Sequence, residues 1–351
     1  MKAYNTSVNY LKALGITLMV LGHTRVNPQV IAFIYMFHMP LFFIASGYCF
    51  KEKYLSTPRK YIYNKVKGIY WPYLKWSLLF LLLHNVCFNL HLYSDQYGWK
   101  ESVSHLYAPS EFLGLATSII FNMQGHEQLL GGYWFMNALF FGSLIAWLII
   151  RYVRQPLYGG VILIVICTIL NKTQWQFPFV NISSQAFVAA LLIVIGYSLA
   201  KYRIKPFNYW QVTLAITITL IGSFVWNMEL NQNSYSNKRF IPYIITAVLA
   251  SWSFYSLFDK MKSSHGICAK VLDFIGKNTL TILTWHFLSF KLVSLIIIGI
   301  YDLPIERLAE FPVIMEYSQR GYWVLYFCFA ILSTCGIGYL NKYIKKYWLK
   351  L

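Results

Sequence analysis

The sequence predicts an all-α membrane protein, with about ten transmembrane helices around a polar cavity and both termini in the cytoplasm. Three observations predict it. Of the 351 residues, 58% are hydrophobic and only 12% are charged, about half the ~25% charged share of a soluble domain. About ten stretches approach the roughly 20 mostly apolar residues that a helix needs to cross hydrocarbon. The basic residues also segregate: 20 Lys and Arg fall in one alternating set of loops, 7 in the other and 3 inside the stretches. Basic residues favour the cytoplasmic side, so this division places both termini inside. It also accounts for the net charge of +18 without a nucleic-acid partner.

The stretches lie near 8–25, 30–50, 70–91, 133–151, 156–171, 184–200, 208–227, 240–258, 277–299 and 321–342. The first lacks a small-residue cleavage site and contains Lys12 and His23, so it reads as a retained helix. The second contains Pro40, which inside a helix removes a hydrogen bond and frees carbonyls near mid-membrane. Between the third and fourth, the loop at 92–132 is too long for a simple connector. Its Ser110-Glu111 before Phe112-Leu113-Gly114-Leu115 predicts a helix over 110–121, too short to span and suited to the interface or to capping a cavity. Residues 1–351 read as one domain. The six cysteines show no C-x-x-C spacing and lie mostly in apolar runs, where they serve as small buried residues.

Ionisable side chains inside spans carry the chemistry, because they are costly there and face protein or water. Lys12 and His23 are eleven residues apart, three helical turns plus about 20° and a rise of ~16 Å, so they share a face at different depths. Lys12 could also snorkel to the cytoplasmic surface, and His23 could be a hydrogen-bonded core imidazole. His38 lies ~12 Å from the outer end of its span and His286 ~14 Å from the inner end of the ninth. Three imidazoles at neighbouring depths suggest a polar cavity, although His38 could instead bond the backbone near Pro40. No H-x-x-x-H or H-E-x-x-H spacing and no carboxylate within these spans supports a metal site. Arg59 to Tyr73 alternates basic and aromatic residues at the inner rim, suited to phosphates and a ring system or to anionic lipid.

Several ordered blocks carry a resemblance: Lys12 with ten residues before His23; Phe37-His38-Met39-Pro40 through Ser46-Gly47-Tyr48; Lys65 and Lys67 running into Trp71-Pro72-Tyr73; Tyr133 to Phe140; and Gly276-Lys277-Asn278-Thr279-Leu280 with His286. Together they resemble the acyltransferase 3 family of membrane O-acyltransferases, closest to its fucose 4-O-acetylase-like group. The resemblance spans nearly the whole chain. It implies a ten-helix domain of the cell (inner) membrane that moves an acyl group, usually acetyl from cytoplasmic acetyl-CoA, to a hydroxyl of a cell-surface or lipid-linked glycan. No tightly bound cofactor is implied. The family more often has Arg where this chain has Lys12, and often an acidic residue where it has Asn9.

On that basis His23 is the expected general base, neutral imidazole being suited to deprotonating a hydroxyl near pH 7, with an acetyl-imidazole relay as the alternative route. His286, His38 and Asn278 are expected to orient His23 or stabilise the oxyanion. Lys12, Arg59, Lys65, Lys67, Tyr73 and Lys277 are the donor-side candidates, and Trp134, Asn137 and Glu127 the acceptor-side candidates. A polytopic exporter of a glycan or small metabolite is the competing reading, since midplane polar groups and a proline-interrupted helix also suit transport.

Overall fold

The computed structural model describes residues 5–99, 103–153, 155–173, 181–182, 184–226 and 239–347. Both ends of the chain, on which the orientation of the termini rests, lie outside the described residues. The helices are α1 (Thr6–His23), α2 (Pro28–Tyr35), α3 (His38–Tyr48), α4 (Lys53–Ser56), α5 (Pro58–Lys65), α6 (Trp71–Leu82), α7 (His84–Asn89), α8 (Pro109–Asn122), α9 (Trp134–Tyr152), α10 (Pro156–Thr173), α11 (Ser184–Lys201), α12 (Tyr209–Trp226), α13 (Phe240–Met261), α14 (Ile267–Lys277), α15 (Thr279–Tyr301), α16 (Met315–Tyr317) and α17 (Trp323–Tyr347). No strand occurs among the described residues.

Each predicted stretch is mostly helical over its described residues. Six helical segments are long and apolar enough to cross a membrane: Pro28–Tyr48, Gln128–Tyr152, Ser184–Lys201, Phe240–Met261, Thr279–Tyr301 and Met315–Ile344. Pro156–Leu170 and Tyr209–Val225 are shorter apolar helices. Among the rest, α1 has 18 residues but is diluted by Asn9, Lys12 and His23. The stretch at 70–91 is divided at Leu83 between α6 and α7.

The break in the second stretch is not where Pro40 suggests. It falls at Met36-Phe37, and Pro40 occupies the first turn of α3, where no intrahelical N–H bond is required and proline is tolerated. The 110–121 prediction corresponds to α8, which opens one residue earlier on Pro109 and ends at Met123 in the left-handed region (φ 50°).

The chain forms two compact units, each assembled from separated segments: Met1–Gly15, Ala32–Tyr73 and Trp134–Gly276 in the first, Ile16–Ile31, Leu74–Tyr133 and Lys277–Leu351 in the second. In the first, α11 packs against α3, α9 and α10. Lipid provides no hydrophobic drive between helices, so close backbone approach matters more. A Cβ on Gly47 would lie 1.9 Å from the Ile193 carbonyl oxygen, and one on Gly196 would lie 2.1 Å from that of Ile44. Hydrogen at these two positions is what lets α3 and α11 touch backbone to backbone. In the second unit α15 packs along α17, and the turns at Gln128–Tyr133 and Ile305–Ala309 lie against α15.

Candidate functional site

His23 ends α1 and His286 lies on α15; both belong to the second unit. Nδ1 of His23 is 3.1 Å from Nε2 of His286, and the rings stack at 5.2 Å with 13° between planes. His286 is fully buried. Its Nδ1 faces the carbonyl oxygens of Ile282 (3.1 Å) and Leu283 (3.0 Å). A carbonyl only accepts, so Nδ1 of His286 carries its proton. In the neutral ring Nε2 is then an acceptor, and the atom facing it, Nδ1 of His23, must donate. Neutral His23 therefore has its lone pair on Nε2. Two backbone carbonyls thus set, through one buried imidazole, which nitrogen of the half-buried His23 is basic.

His38 does not join this pair among the hydrogen bonds of the structure. It belongs to the first unit, where its Nδ1 donates to the Ile34 carbonyl at 3.0 Å, filling an acceptor beside the break before α3. Of the three imidazoles, His23 and His286 are in contact within one unit. Asn278 is the N-cap residue of α15, eight residues and ~12 Å along the axis from His286. Its side chain packs where a Cβ on Gly338 would stand.

Lys12 lies in the first unit. Its Nζ donates to the Gly276 carbonyl at 3.0 Å, and Asn9 Nδ2 donates to the Asp273 carbonyl (3.0 Å) and carboxylate (3.2 Å). The last carbonyls of a helix lack intrahelical partners and carry the negative end of its dipole. Lys12 therefore caps the end of α14, and with Asn9 it clamps the start of α1. A Cβ on Gly276 would lie 2.2 Å from the Asn9 carbonyl oxygen, so the clamp needs that glycine. Sequence spacing identified Lys12, but not this partner 264 residues away.

The basic segment continues from α5 through a π-helical turn at Val66–Tyr70 into α6. Such turns shift helical register and are frequent at functional sites. Arg59 and Lys67 are exposed, and Lys67 lies 6.0 Å from the centroid of the Tyr63 ring. Lys65 turns inward, donating to Ser143 Oγ at 3.0 Å and lying 5.3 Å from the Tyr61 ring. Loss of solvent lowers its pKa to about 8. Lys277 is exposed, whereas Tyr73 is fully buried.

The acceptor-side candidates lie in two different units. Glu127 is 2% exposed, and both its carboxylate oxygens lie 3.2 Å from Nδ1 of the fully buried His84. His84 Nε2 meets the His105 carbonyl at 3.0 Å, and its ring lies 3.4 Å from that of Tyr107. Glu127 thus joins three segments of the loop region as an internal tie. Asn137 is buried and donates to the Asn181 carbonyl at 3.0 Å; Trp134 is half-buried at the start of α9. Both lie in the first unit. The sequence reading passed over His84 because one histidine in an apolar run gave no spacing to follow. Among the described residues, no three His, Cys, Asp or Glu side chains gather as a metal-binding set.

Against known families, the acyltransferase 3 model, described as an acyltransferase domain, matches residues 5–342. No curated protein and no solved structure matches the chain.

Proposed function

The chain belongs to the acyltransferase 3 family of membrane acyltransferases, and from that premise we propose that it is an O-acetyltransferase, with cytoplasmic acetyl-CoA as donor and a hydroxyl of a cell-surface or lipid-linked glycan as acceptor. Within the family we assign it to the fucose 4-O-acetylase-like group. We also propose ten spans in the cell (inner) membrane with both termini cytoplasmic, as the loop charges favour. The family match favours this reading over an exporter.

The observation that supports it most is the contact between His23 Nδ1 and His286 Nε2, from which the tautomer of His23 follows. A sugar hydroxyl is a weak nucleophile until its proton is removed, and an imidazole nitrogen near neutral pH is suited to removing it. In the proposed step, Nε2 of His23 takes the hydroxyl proton as the oxygen attacks the thioester carbonyl. A C–O bond forms, the C–S bond breaks, and the coenzyme leaves as a thiolate that recovers the proton from His23. His286 is a positioning residue: it holds His23 Nδ1 as a donor and accepts more strongly as His23 becomes imidazolium. Lys12 acts by anchoring α1, the helix that carries His23. Arg59, Lys65, Lys67 and Lys277 are assigned to the anionic end of the donor.

Purified protein supplied with acetyl-labelled acetyl-CoA and a panel of glycans tests the assignment. His23→Ala is expected to lower transfer by roughly 10²- to 10⁴-fold, the usual contribution of a general base. Unchanged transfer would remove His23 from the reaction.

A further inference from the structure

Lys291 is a charged side chain of α15 that the proposed reaction leaves unused. It is 1% exposed and lies ten residues before the end of the helix at Tyr301, ~15 Å by helical rise. An ionisable group at that depth of a span is costly and by default marks a functional contact. Its Nζ donates to the Glu310 carbonyl and lies 5.8 Å from the centroid of the Phe311 ring, while the Glu310 carboxylate pairs with Arg307. The chain leaving α15 therefore turns back along the helix.

The returning segment is held at several points. The Ala309 carbonyl accepts from Gln128 Nε2 at 3.4 Å, and the Ile314 N–H donates to the Tyr326 hydroxyl at 3.3 Å. Irregular backbone at membrane depth needs such cover. Two adjacent carbonyls are thus met in different ways, Ala309 by a neutral amide and Glu310 by an ammonium. An amide would satisfy Glu310 as well, without the cost of burying a charge, so the hydrogen bond alone does not account for the lysine. What an amide cannot supply is the attraction of a cation to an aromatic ring, which grows away from water.

The ring so held leads to His23. Phe287 and Lys291 stand one helical turn apart on the same side of α15, and Phe311 packs on Phe287 with centroids 4.6 Å apart. Phe287 in turn stacks on His23 at 4.9 Å with 29° between planes, and its ring lies 3.9 Å from that of His286. All of these residues belong to the second unit.

We propose that Lys291 is a positioning residue for His23: its buried ammonium fixes Phe311, Phe311 backs Phe287, and the Phe287 ring sets the plane of the His23 imidazole beside His286. The proposal rests on the acetyltransferase reading and adds to it a group that places the base without touching substrate. Such placement matters for rate, because a shift of about 1 Å caused by a distant side chain can slow a reaction ~100-fold.

NMR of the histidine-labelled full chain in nanodiscs tests it, together with transfer from acetyl-labelled acetyl-CoA to methyl glycosides of fucose, glucose and galactose. Lys291→Met removes the charge and the donor; Lys291→Gln keeps a donor for the Glu310 carbonyl. Both are expected to shift the ring-proton resonances of His23, because the stacked Phe287 ring moves. Both should lower kcat roughly 10- to 100-fold, with the KM for acetyl-CoA within about twofold. Lys291→Arg, which keeps the cation, should restore most of the rate and of the shift. Phe311→Leu leaves the ammonium in place and carries the test should the Lys291 variants not fold. It should shift the same resonances, and adding Lys291→Met to it should cost little more, since the same route is already broken. Unmoved His23 resonances in the folded variants, a Lys291→Gln protein equal to wild type, or losses in Phe311→Leu and Lys291→Met that simply add would overturn the proposal. The two readings fail separately. If His23→Ala still transfers acetyl while Lys291→Met shifts the His23 resonances, the reaction assignment fails and the placement of the ring by Lys291 stands. If His23→Ala is inactive and Lys291→Met changes neither resonances nor kcat, the role of Lys291 fails and the reaction assignment stands.

Discussion

Two histidine pairs in the second unit use the same ring for opposite purposes. In the first, His286 donates from Nδ1 to backbone carbonyls and accepts at Nε2 from His23, which sets the lone pair of neutral, half-buried His23 on its Nε2. In the second, His84 has a carbonyl at Nε2 and both oxygens of Glu127 at Nδ1. Both ring nitrogens of His84 face acceptors of the protein, and neither is left for chemistry. What separates the proposed base from the structural imidazole here is the group facing its second nitrogen, not burial alone.

The contrast breaks most sharply at His286. His286→Ala should lower transfer by roughly 10³-fold, within the range of lost acid–base positioning. Because His286 acts through His23, its loss should also displace the pH–rate profile, a change that simple loosening of α15 would not produce. A wild-type profile in that variant would reduce His286 to a packing residue.

Next in size is the sealed pair. Glu127→Ala leaves His84 buried without its partner and should cost about 3 kcal/mol of stability, as for a broken internal ion pair, read as a lower denaturation midpoint. Acetyl transfer per folded molecule should stay within about twofold. A raised acceptor KM with unchanged stability would restore Glu127 as an acceptor ligand.

The smallest effect concerns Lys65. Its folded pKa of about 8 lies below the 10.5 of a solvated lysine, so the ammonium is charged below pH 8 and loses its proton as pH rises through it. Its burial opposes folding fully below pH 8, and that cost fades between pH 8 and 10.5. An anionic donor needs the charged form, so acetyl-CoA affinity should fall above pH 8 by up to about tenfold per pH unit. Lys65→Arg should flatten that fall. Titration calorimetry across pH 7 to 9.5 reads both, and a flat wild-type profile would detach Lys65 from the donor.

Much of the fold was legible because membrane helices are written locally, in runs of apolar residues long enough to recognise. The break at Met36-Phe37 was less so: both residues are apolar, and proline marks the neighbourhood of a break without fixing it, since the first turn of a helix accepts it. Lys12 and His23 were legible as a pair because one helix sets their spacing. The partners of each were not, since Gly276 and His286 lie more than 260 residues away. The burial of Glu127 against His84 was not legible, because an acid in a polar loop has the same sequence appearance whether it faces solvent or a buried imidazole.

The most direct test is to ask which nitrogen of His23 bears the proton. Nitrogen NMR of the histidine-labelled protein near neutral pH, with resonances assigned by their loss in His23→Ala and His286→Gln, should show both rings as Nδ1–H tautomers and His23 Nε2 with the shift of an unprotonated nitrogen. A His23 resonance with the proton on Nε2 would contradict the account, because the lone pair assigned to the acceptor hydroxyl would then point at His286.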